Sequence, residues 1–151
     1  MLSKKEEKKS KRWRPAKTPS EWKLLMKMDL KDTIGLIRTL KDWDRYILES
    51  DTNHCQITDL HMDYDFRSKE RPLSGLDKED IERFASNLVF RNGGIAGARF
   101  SMLDDKMSYR KFLGLWARFG IDLNLLAEWD ERYCVNGKCF SEADSICTTN
   151  C

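Results

Sequence analysis

The chain has 151 residues, a length that suits one domain with or without a tail. Hydrophobic residues make up 40% of it and charged residues 34%, and an aromatic content of 11% argues against a fully disordered protein. No apolar run approaches the roughly 18 residues that a membrane-spanning helix needs, and no internal repeat indicates a solenoid. Lysines follow the first three residues directly, so we expect no secretion through a classical signal peptide.

The net charge of +2 is unevenly distributed along the chain. Residues 1–23 hold nine Lys and Arg but three Glu, a charge of +6, so the remainder carries −4. Such an arm binds phosphate backbones or anionic membranes, or acts as a nuclear import signal, and a solvated tail without a partner is the simpler alternative. Trp13, between Arg12 and Arg14, can stack on an unpaired base or insert at a lipid interface. The residues expected to bind nucleic acid are Lys8, Lys9, Lys11, Arg12, Trp13, Arg14 and Lys17.

Residues 1–17 have no apolar periodicity and predict a disordered arm. A helix over 19–28 follows, because Thr18 can cap it and Pro19 suits its first turn, where a missing N–H costs nothing. Residues 29–49 predict a second helix with an apolar stripe that packs in the core. The stripe consists of Leu30, Ile34, Ile37, Leu40, Trp43 and Ile47.

Residues 57–66 change from helical periodicity to strict alternation and predict a strand. One face of it is apolar, and the other carries His61, Asp63 and Asp65. Imidazole and carboxylates on alternate residues converge on one side, where they can hold Mg²⁺ or Mn²⁺. A metal-dependent nuclease that uses Asp63 and Asp65 is therefore one alternative, and a solvated strand face is the simpler one.

Three further helices are expected in the second half of the chain. They run from Asp77 to about Gly93, from Asp104 or Asp105 to Gly120, and from Asp122 to about Tyr133. Residues 93–97 predict a flexible hinge, because they lack the lysine and hydroxyl residue of a phosphate-binding loop. Residues 98–103 predict a second short strand.

Four of the five cysteines lie in the last 18 residues: Cys134, Cys139, Cys147 and Cys151. Asn136-Gly137 predicts a hairpin with a type I′ turn, which places Cys134 opposite Cys139, while the last two cysteines are one helical turn apart. Three states stay open: a structural zinc site made of all four thiolates, two disulfides, or free thiols. Cys55 is distant from these four, and we expect a small buried thiol there.

Residues 103–134 carry a run of aromatic, basic and acidic residues: Leu103-Asp104, Lys106, Tyr109-Arg110, Trp116, Arg118-Phe119, Trp129-Asp130, Tyr133 and Cys134. This run resembles the C-terminal core of the small nuclear accessory proteins of bocaparvoviruses. Those proteins also place a basic arm before a compact domain with cysteines near a Trp-Asp pair. The resemblance covers about a fifth of the chain. It implies a nuclear viral protein that assists RNA processing and genome replication, and it implies no catalytic residue.

These patterns predict an α+β, mainly helical fold with about five helices, a small strand or hairpin component and a cysteine-rich C-terminal hairpin. We expect a disordered basic arm over 1–17, a compact domain over 18–133 and a four-cysteine module over 134–151. The functional hypothesis is a non-enzymatic regulatory protein of the nucleus or cytoplasm, of viral-accessory type, that binds RNA or DNA. A protein partner or a second copy of the chain would contact its body. The remaining alternative is an adaptor or matrix-like protein on anionic membrane.

Overall fold

A computed structural model describes residues 12–51, 62 and 71–151. Within these residues the fold is mixed α+β, with five α-helices and a four-stranded antiparallel sheet. The helices are α1 (Pro19–Lys27), α2 (Leu40–Asp51), α3 (Lys78–Ser86), α4 (Tyr109–Arg118) and α5 (Leu123–Trp129). The strands are β1 (Val89–Arg91), β2 (Gly94–Arg99), β3 (Asp130–Val135) and β4 (Lys138–Cys147). Short 3-10 helices cover Leu30–Asp32 and Ser101–Leu103.

The sheet has the strand order β1-β2-β4-β3 and contains two tight hairpins, each closed by an Asn-Gly pair. Asn92-Gly93 has φ values of 55° and 77°, and Asn136-Gly137 has values of 53° and 80°. Positive φ at both central residues is what a type I′ turn requires. The second hairpin was predicted. The first corrects the helix expected as far as Gly93 and the hinge expected over 93–97, because these residues form the β1–β2 turn and the buried strand β2.

The helix predicted over 29–49 begins only at Leu40, because a buried arginine holds the preceding residues in a loop. The Arg38 guanidinium donates hydrogen bonds to the carbonyl oxygens of Met26, at 2.7 Å, and Gly93, at 2.8 Å. A continuous helix would not allow both contacts. Of the predicted stripe, Ile37 and Trp43 are buried and Ile47 is half-buried, but three members are exposed: Leu30, Ile34 and Leu40.

Aromatic side chains form the centre of the core where α2, α3 and α4 meet. The ring centroids of Trp43 and Phe84 are 5.5 Å apart, and those of Trp116 and Phe119 are 5.6 Å apart. All four side chains are at most 2% exposed. Burial of such large rings is the dominant stabilising contribution that a small domain has. Helix α4, which carries Trp116, begins at Tyr109 with Ser108 as its cap, several residues later than the predicted start at Asp104 or Asp105.

Candidate functional site

The described part of the predicted arm, residues 12–17, is attached to the folded body. The N–H of Ala16 donates to the carbonyl of Gly120 at 2.7 Å, and the N–H of Asp122 donates to the carbonyl of Ala16 at 3.0 Å. These bonds fix the segment beside the turn between α4 and α5. The boundary predicted at residue 18 therefore lies too far along the chain, because residues 12–17 belong to the body.

Trp13 is a core residue, which corrects its predicted role in nucleic-acid binding. The side chain is 2% exposed, and its Nε1 donates a hydrogen bond to the carbonyl of Ile34 at 2.7 Å. Its backbone forms an isolated β-bridge with Met62, which is 1% exposed. An indole held in this way has no face available for a base or for lipid. For a side chain of this size, the free energy gained by burying its apolar area favours the core over exposure to water.

The cations of the same segment point outward. Arg12, Arg14 and Lys17 are exposed, whereas the residues between them are buried. The Arg12 Nη2 donates to the carbonyl of Met62 at 2.9 Å, so the guanidinium of this side chain is tethered to the body. Predicted residues Lys8, Lys9 and Lys11 lie outside the described part of the chain.

Helix α1 and the 3-10 turn after it extend the basic character. From residue 12 to residue 31, six exposed cations accompany two exposed carboxylates, those of Glu21 and Asp29. The exposed cations are Arg12, Arg14, Lys17, Lys23, Lys27 and Lys31. The last three were not among the predicted binding residues, because the predicted arm ended at residue 17. For Lys23 and Lys27 the signal was their position off the buried Trp22 and Leu25 face of α1, whereas Lys31 lies in the 3-10 turn after that helix.

The four C-terminal cysteines form two neighbouring disulfides, Cys134–Cys151 and Cys139–Cys147. Of the three states that the sequence left open, the structure contains the disulfides. The predicted register is confirmed, because Cys134 and Cys139 are cross-strand partners, yet each is bonded to a different cysteine. The helical turn considered for the last pair is wrong, since Cys147 ends β4. The Sγ atoms of Cys134, Cys147 and Cys151 all lie within 4.8 Å of one another.

A sharp bend in β4 brings these sulfurs together. Cys139 and Cys147 are eight residues apart on one strand, but their Cα atoms are 5.8 Å apart. A straight strand would separate them by about 26 Å. Asp144 lies inside the bend with a φ of 52°, and its carbonyl accepts a hydrogen bond from the N–H of Phe100 at 2.8 Å. The beginning of β4 therefore pairs with β3 alone, and its end pairs with β2, while Ile146 also pairs with Asp130 of β3.

Gly97 on β2 makes room for the cluster. A Cβ at this position would come within 2.9 Å of the Cys134 Cβ and 3.3 Å of the Ile146 carbonyl oxygen. Both distances are shorter than an ordinary contact, so a side chain would push β2 away from the cysteines. Cys134 and Cys147 are buried beside this glycine, Cys151 is half-buried and Cys139 is exposed.

An ion pair connects β2 and β4 of the sheet. The Arg99 Nε lies 2.7 Å from a carboxylate oxygen of Glu142, and the guanidinium carbon lies 4.0 Å above the ring of Tyr133. The hydrogen bond from Arg99 lowers the pKa of Glu142. The same bond raises the pKa of Arg99. At Arg38, by contrast, burial lowers the pKa of the guanidinium.

A cavity of about 310 Å³ lies at the start of α4. It is lined by Phe100, Leu103, Asp104, Asp105, Met107, Tyr109 and Phe112. This lining holds two carboxylates and no cation. The cavity therefore does not suit a phosphate group, because phosphate would meet negative charge without a compensating donor.

Other predicted residues lie outside the described ranges. These are Cys55 and the strand face with His61, Asp63 and Asp65, so the nuclease alternative remains a prediction. Across residues 12–51, 62 and 71–151, no helix is both long and apolar enough to cross a membrane.

No protein-family model, curated protein or solved structure matches the chain. The resemblance of residues 103–134 to bocaparvovirus accessory proteins remains a prediction. Two features of the chain itself indicate function: the exposed cations between residues 12 and 31, and the four clustered cysteines.

Proposed function

We propose that this is a non-enzymatic, nucleic-acid-associated regulatory protein that binds phosphate backbones through Arg12, Arg14 and Lys17. The alternation of burial over residues 12–17 carries this proposal. Buried Trp13 and Ala16 anchor the backbone, so the cations between and beside them project from a fixed support. A cation on an anchored backbone loses less conformational entropy on binding than a cation on a free tail.

The charge distribution favours contact at this end of the molecule. Residues 1–23 carry +6 and the rest of the chain carries −4, so a polyanion is attracted to the basic segment and repelled by much of the body. Contacts to phosphate give affinity without sequence selectivity. We therefore assign selectivity to the body, through a protein partner or a second copy of the chain. A viral accessory role in the nucleus or cytoplasm is compatible with this division of tasks.

The test compares two variants with the same loss of charge. In the first, Arg12, Arg14 and Lys17 are changed to Gln, and in the matched control the exposed Lys41, Lys78 and Lys138 are changed to Gln. Fluorescence anisotropy with single-stranded RNA and duplex DNA at several salt concentrations gives the affinity and its salt slope. Each lost phosphate contact reduces that slope by about 0.7–0.9, so the first variant should lose roughly 2–3 units. Equal slopes for both variants would overturn the proposal.

Truncation must respect the anchored segment. Deleting residues 1–17 would remove Trp13 and Ala16 from the core, so lost binding would not be distinguished from lost folding. Deleting residues 1–11 leaves every described contact in place. This deletion measures what the first eleven residues add to the affinity supplied by Arg12, Arg14 and Lys17.

A membrane-surface adaptor is the second candidate, and one observation favours it. Leu24 and Leu30 are 67% and 73% exposed, and they lie among Lys23, Lys27 and Lys31. Apolar side chains among lysines suit anionic lipid, where each basic residue contributes about 1 kcal/mol. Flotation with vesicles of anionic or neutral lipid separates the candidates. If lipid is the ligand, changing both leucines to Ser should abolish flotation. If nucleic acid is the ligand, the same change should leave nucleic-acid binding unchanged.

For the cysteine cluster, we propose a structural zinc ion in the reduced protein. Three sulfurs lie within 4.8 Å of one another, and those of Cys134 and Cys151 are joined in a disulfide. After reduction they need to separate only to the distance between thiolates around zinc, which is about 3.8 Å for Zn–S bonds of about 2.3 Å. Cys139, adjacent to Cys147, would supply the fourth ligand. Protein purified under reducing conditions should contain one zinc per chain and lose it in Cys134→Ser. Reduced protein that takes up no zinc would overturn this assignment.

A further inference from the structure

The two disulfides differ in their access to solvent although they are neighbours. Cys139 is exposed, whereas its partner Cys147 is 4% exposed. In the second bond Cys134 is 3% exposed and Cys151 is half-buried. A soluble thiol therefore reaches Cys139 most easily. The buried end of that bond, Cys147, lies within 4.8 Å of both sulfurs of the second disulfide.

We propose that the four cysteines form a thiol–disulfide relay, in which a dithiol reductant enters at Cys139 and Cys147 passes the exchange to the Cys134–Cys151 bond. The proposal does not depend on nucleic-acid binding or on zinc. It assigns a reactive role to Cys139 and Cys147, and it identifies the reacting partner by chemistry as a small or protein-borne dithiol.

The chemistry consists of three exchanges. A thiolate of the dithiol attacks the Cys139 sulfur, forms a mixed disulfide with it and expels Cys147 as a thiolate. Cys147 then attacks the Cys134 sulfur, forms a Cys134–Cys147 bond and expels Cys151 as a thiolate, which takes a proton from water. The second thiol of the dithiol attacks its own sulfur in the mixed disulfide and releases Cys139 as a thiol. In total the dithiol loses two electrons, and the protein exchanges two disulfides for one disulfide and two thiols.

Solvent access selects Cys134 as the sulfur attacked in the second exchange. The expelled thiolate carries a full charge, and a charge is less costly at half-buried Cys151 than at Cys134, which is 3% exposed. The positions of the strands agree with this choice. Gly97 is the cross-strand partner of Cys147, and a Cβ on Gly97 would come within 2.9 Å of the Cys134 Cβ. Cys134 and Cys147 therefore flank the same glycine.

Exchange would release the covalent bond that holds the C-terminal residues. The carbonyl of Cys151 would keep its hydrogen bond from Arg91, which is 3.2 Å long and exposed. The Thr148 Oγ1 would keep its buried bond of 2.7 Å to the carbonyl of Ile95. The relay thus converts a cross-linked end into one held by hydrogen bonds alone, while Cys134 and Cys147 stay joined inside the sheet.

The test maps the disulfides of the intact protein after partial reduction. The full chain is treated with one equivalent of dithiothreitol and a chelator, quenched in acid and alkylated, and then cut after Arg132 and Lys138. Fragmentation of the linked peptides locates the bond and the labels. Among the four C-terminal cysteines, the relay predicts two labels, at Cys139 and Cys151, and a Cys134–Cys147 bond. Labels at Cys139 and Cys147 with Cys134–Cys151 intact would overturn it.

Two single variants examine the relay further, the first without added reductant and the second with it. Cys139→Ser leaves Cys147 unpaired, so Cys147 should displace Cys151, and the label should appear at Cys151. A label that stays at Cys147 would contradict the proposal. Cys147→Ser removes the relaying thiol, so Cys134–Cys151 should persist under the dithiol dose that opens it in the parent. Cys55→Ser is the matched control and should reproduce the parent map, and circular dichroism verifies that each variant folds.

Discussion

The indole Nε1 of Trp22 donates a hydrogen bond of 2.8 Å to the side-chain oxygen of Asn150, 128 residues further along the chain. Trp22 is fully buried and Asn150 is 8% exposed. The amide nitrogen of Asn150 donates in turn to the carbonyl of Arg91 at 2.9 Å. One amide group thus connects α1, β1 and the C-terminal residues, and it satisfies the buried Trp22 N–H and the partly buried Arg91 carbonyl.

Asn150→Ala should destabilise the protein through the partners that it leaves behind. The Trp22 N–H and the Arg91 carbonyl would both lose their hydrogen bonds. A buried polar group left without a partner costs about 1–3 kcal/mol, so we expect the free energy of unfolding to fall by that amount. Urea denaturation at neutral pH measures it. Thr149→Ala, at the exposed neighbouring residue, is the control and should stay within about 0.5 kcal/mol of the parent.

Trp13→Ala should behave as a core mutation although the residue lies near the beginning of the chain. Removing a buried tryptophan costs about 3–5 kcal/mol. Trp13→Phe keeps most of the ring but leaves the Ile34 carbonyl without its donor, and should cost about 1–3 kcal/mol. The control is Arg14→Ala, because Arg14 is exposed. Chemical denaturation that gives the same stability for Trp13→Ala and Arg14→Ala would mean that the segment is not packed.

Local signals in the sequence predicted the local features of the fold. The Thr18 hydroxyl accepts a hydrogen bond from the Glu21 N–H, as the predicted cap requires. At the predicted start of the last helix, the Asp122 carboxylate accepts one from the Asn124 N–H. The Asn136-Gly137 hairpin is confirmed for the same reason. In each case the interacting groups lie within a few residues, so the sequence contains the whole interaction.

Features that depend on distant residues were predicted wrongly. The loop before α2 exists because Arg38 binds the carbonyl of Gly93, 55 residues away. Likewise, Trp13 appeared free because its partner, the Ile34 carbonyl, lies beyond a helix. A hydrophobic period gives no information about either contact. The residues next to Trp13 are the same whether its side chain is exposed or buried, so the local sequence does not distinguish the two states.

The pairing of the cysteines also exceeds what the sequence can determine. Four cysteines allow three pairings, and the hairpin register favours Cys134–Cys139, which the structure does not contain. The choice depends on the bend of β4 at Asp144, a residue with a φ of 52° that is not glycine. Nothing in the surrounding residues marks such a bend. The clustering of the cysteines was therefore predictable, and their connectivity was not.

Removing one disulfide at a time should have different effects on stability. The Cys134–Cys151 bond closes a sequence separation of 17, and the Cys139–Cys147 bond closes one of 8. Loop-closure entropy then gives losses of about 3 kcal/mol and about 2.5 kcal/mol for the respective double Ala variants. Urea denaturation without reductant tests this order. With excess dithiothreitol and chelator the parent should fall below both variants, and a parent unaffected by reductant would exclude any stabilisation by these bonds.

Glu142→Gln should remove a contribution to stability that depends on pH. Because Arg99 lowers the pKa of the folded carboxyl, the folded state favours the carboxylate more than the unfolded chain does. The contribution is therefore complete above the ordinary Glu pKa of about 4.3 and is lost as the pH falls through the lower folded value. The side chains of Arg99 and Glu142 are 41% and 38% exposed, so solvent screening limits this contribution to about 1 kcal/mol or less.

Urea midpoints of the parent and of Glu142→Gln should differ at pH 7 and converge near pH 3. The exposed control Glu128→Gln should match the parent at pH 7. A gap that stays constant between the two pH values would show that Glu142 acts by packing and not by charge.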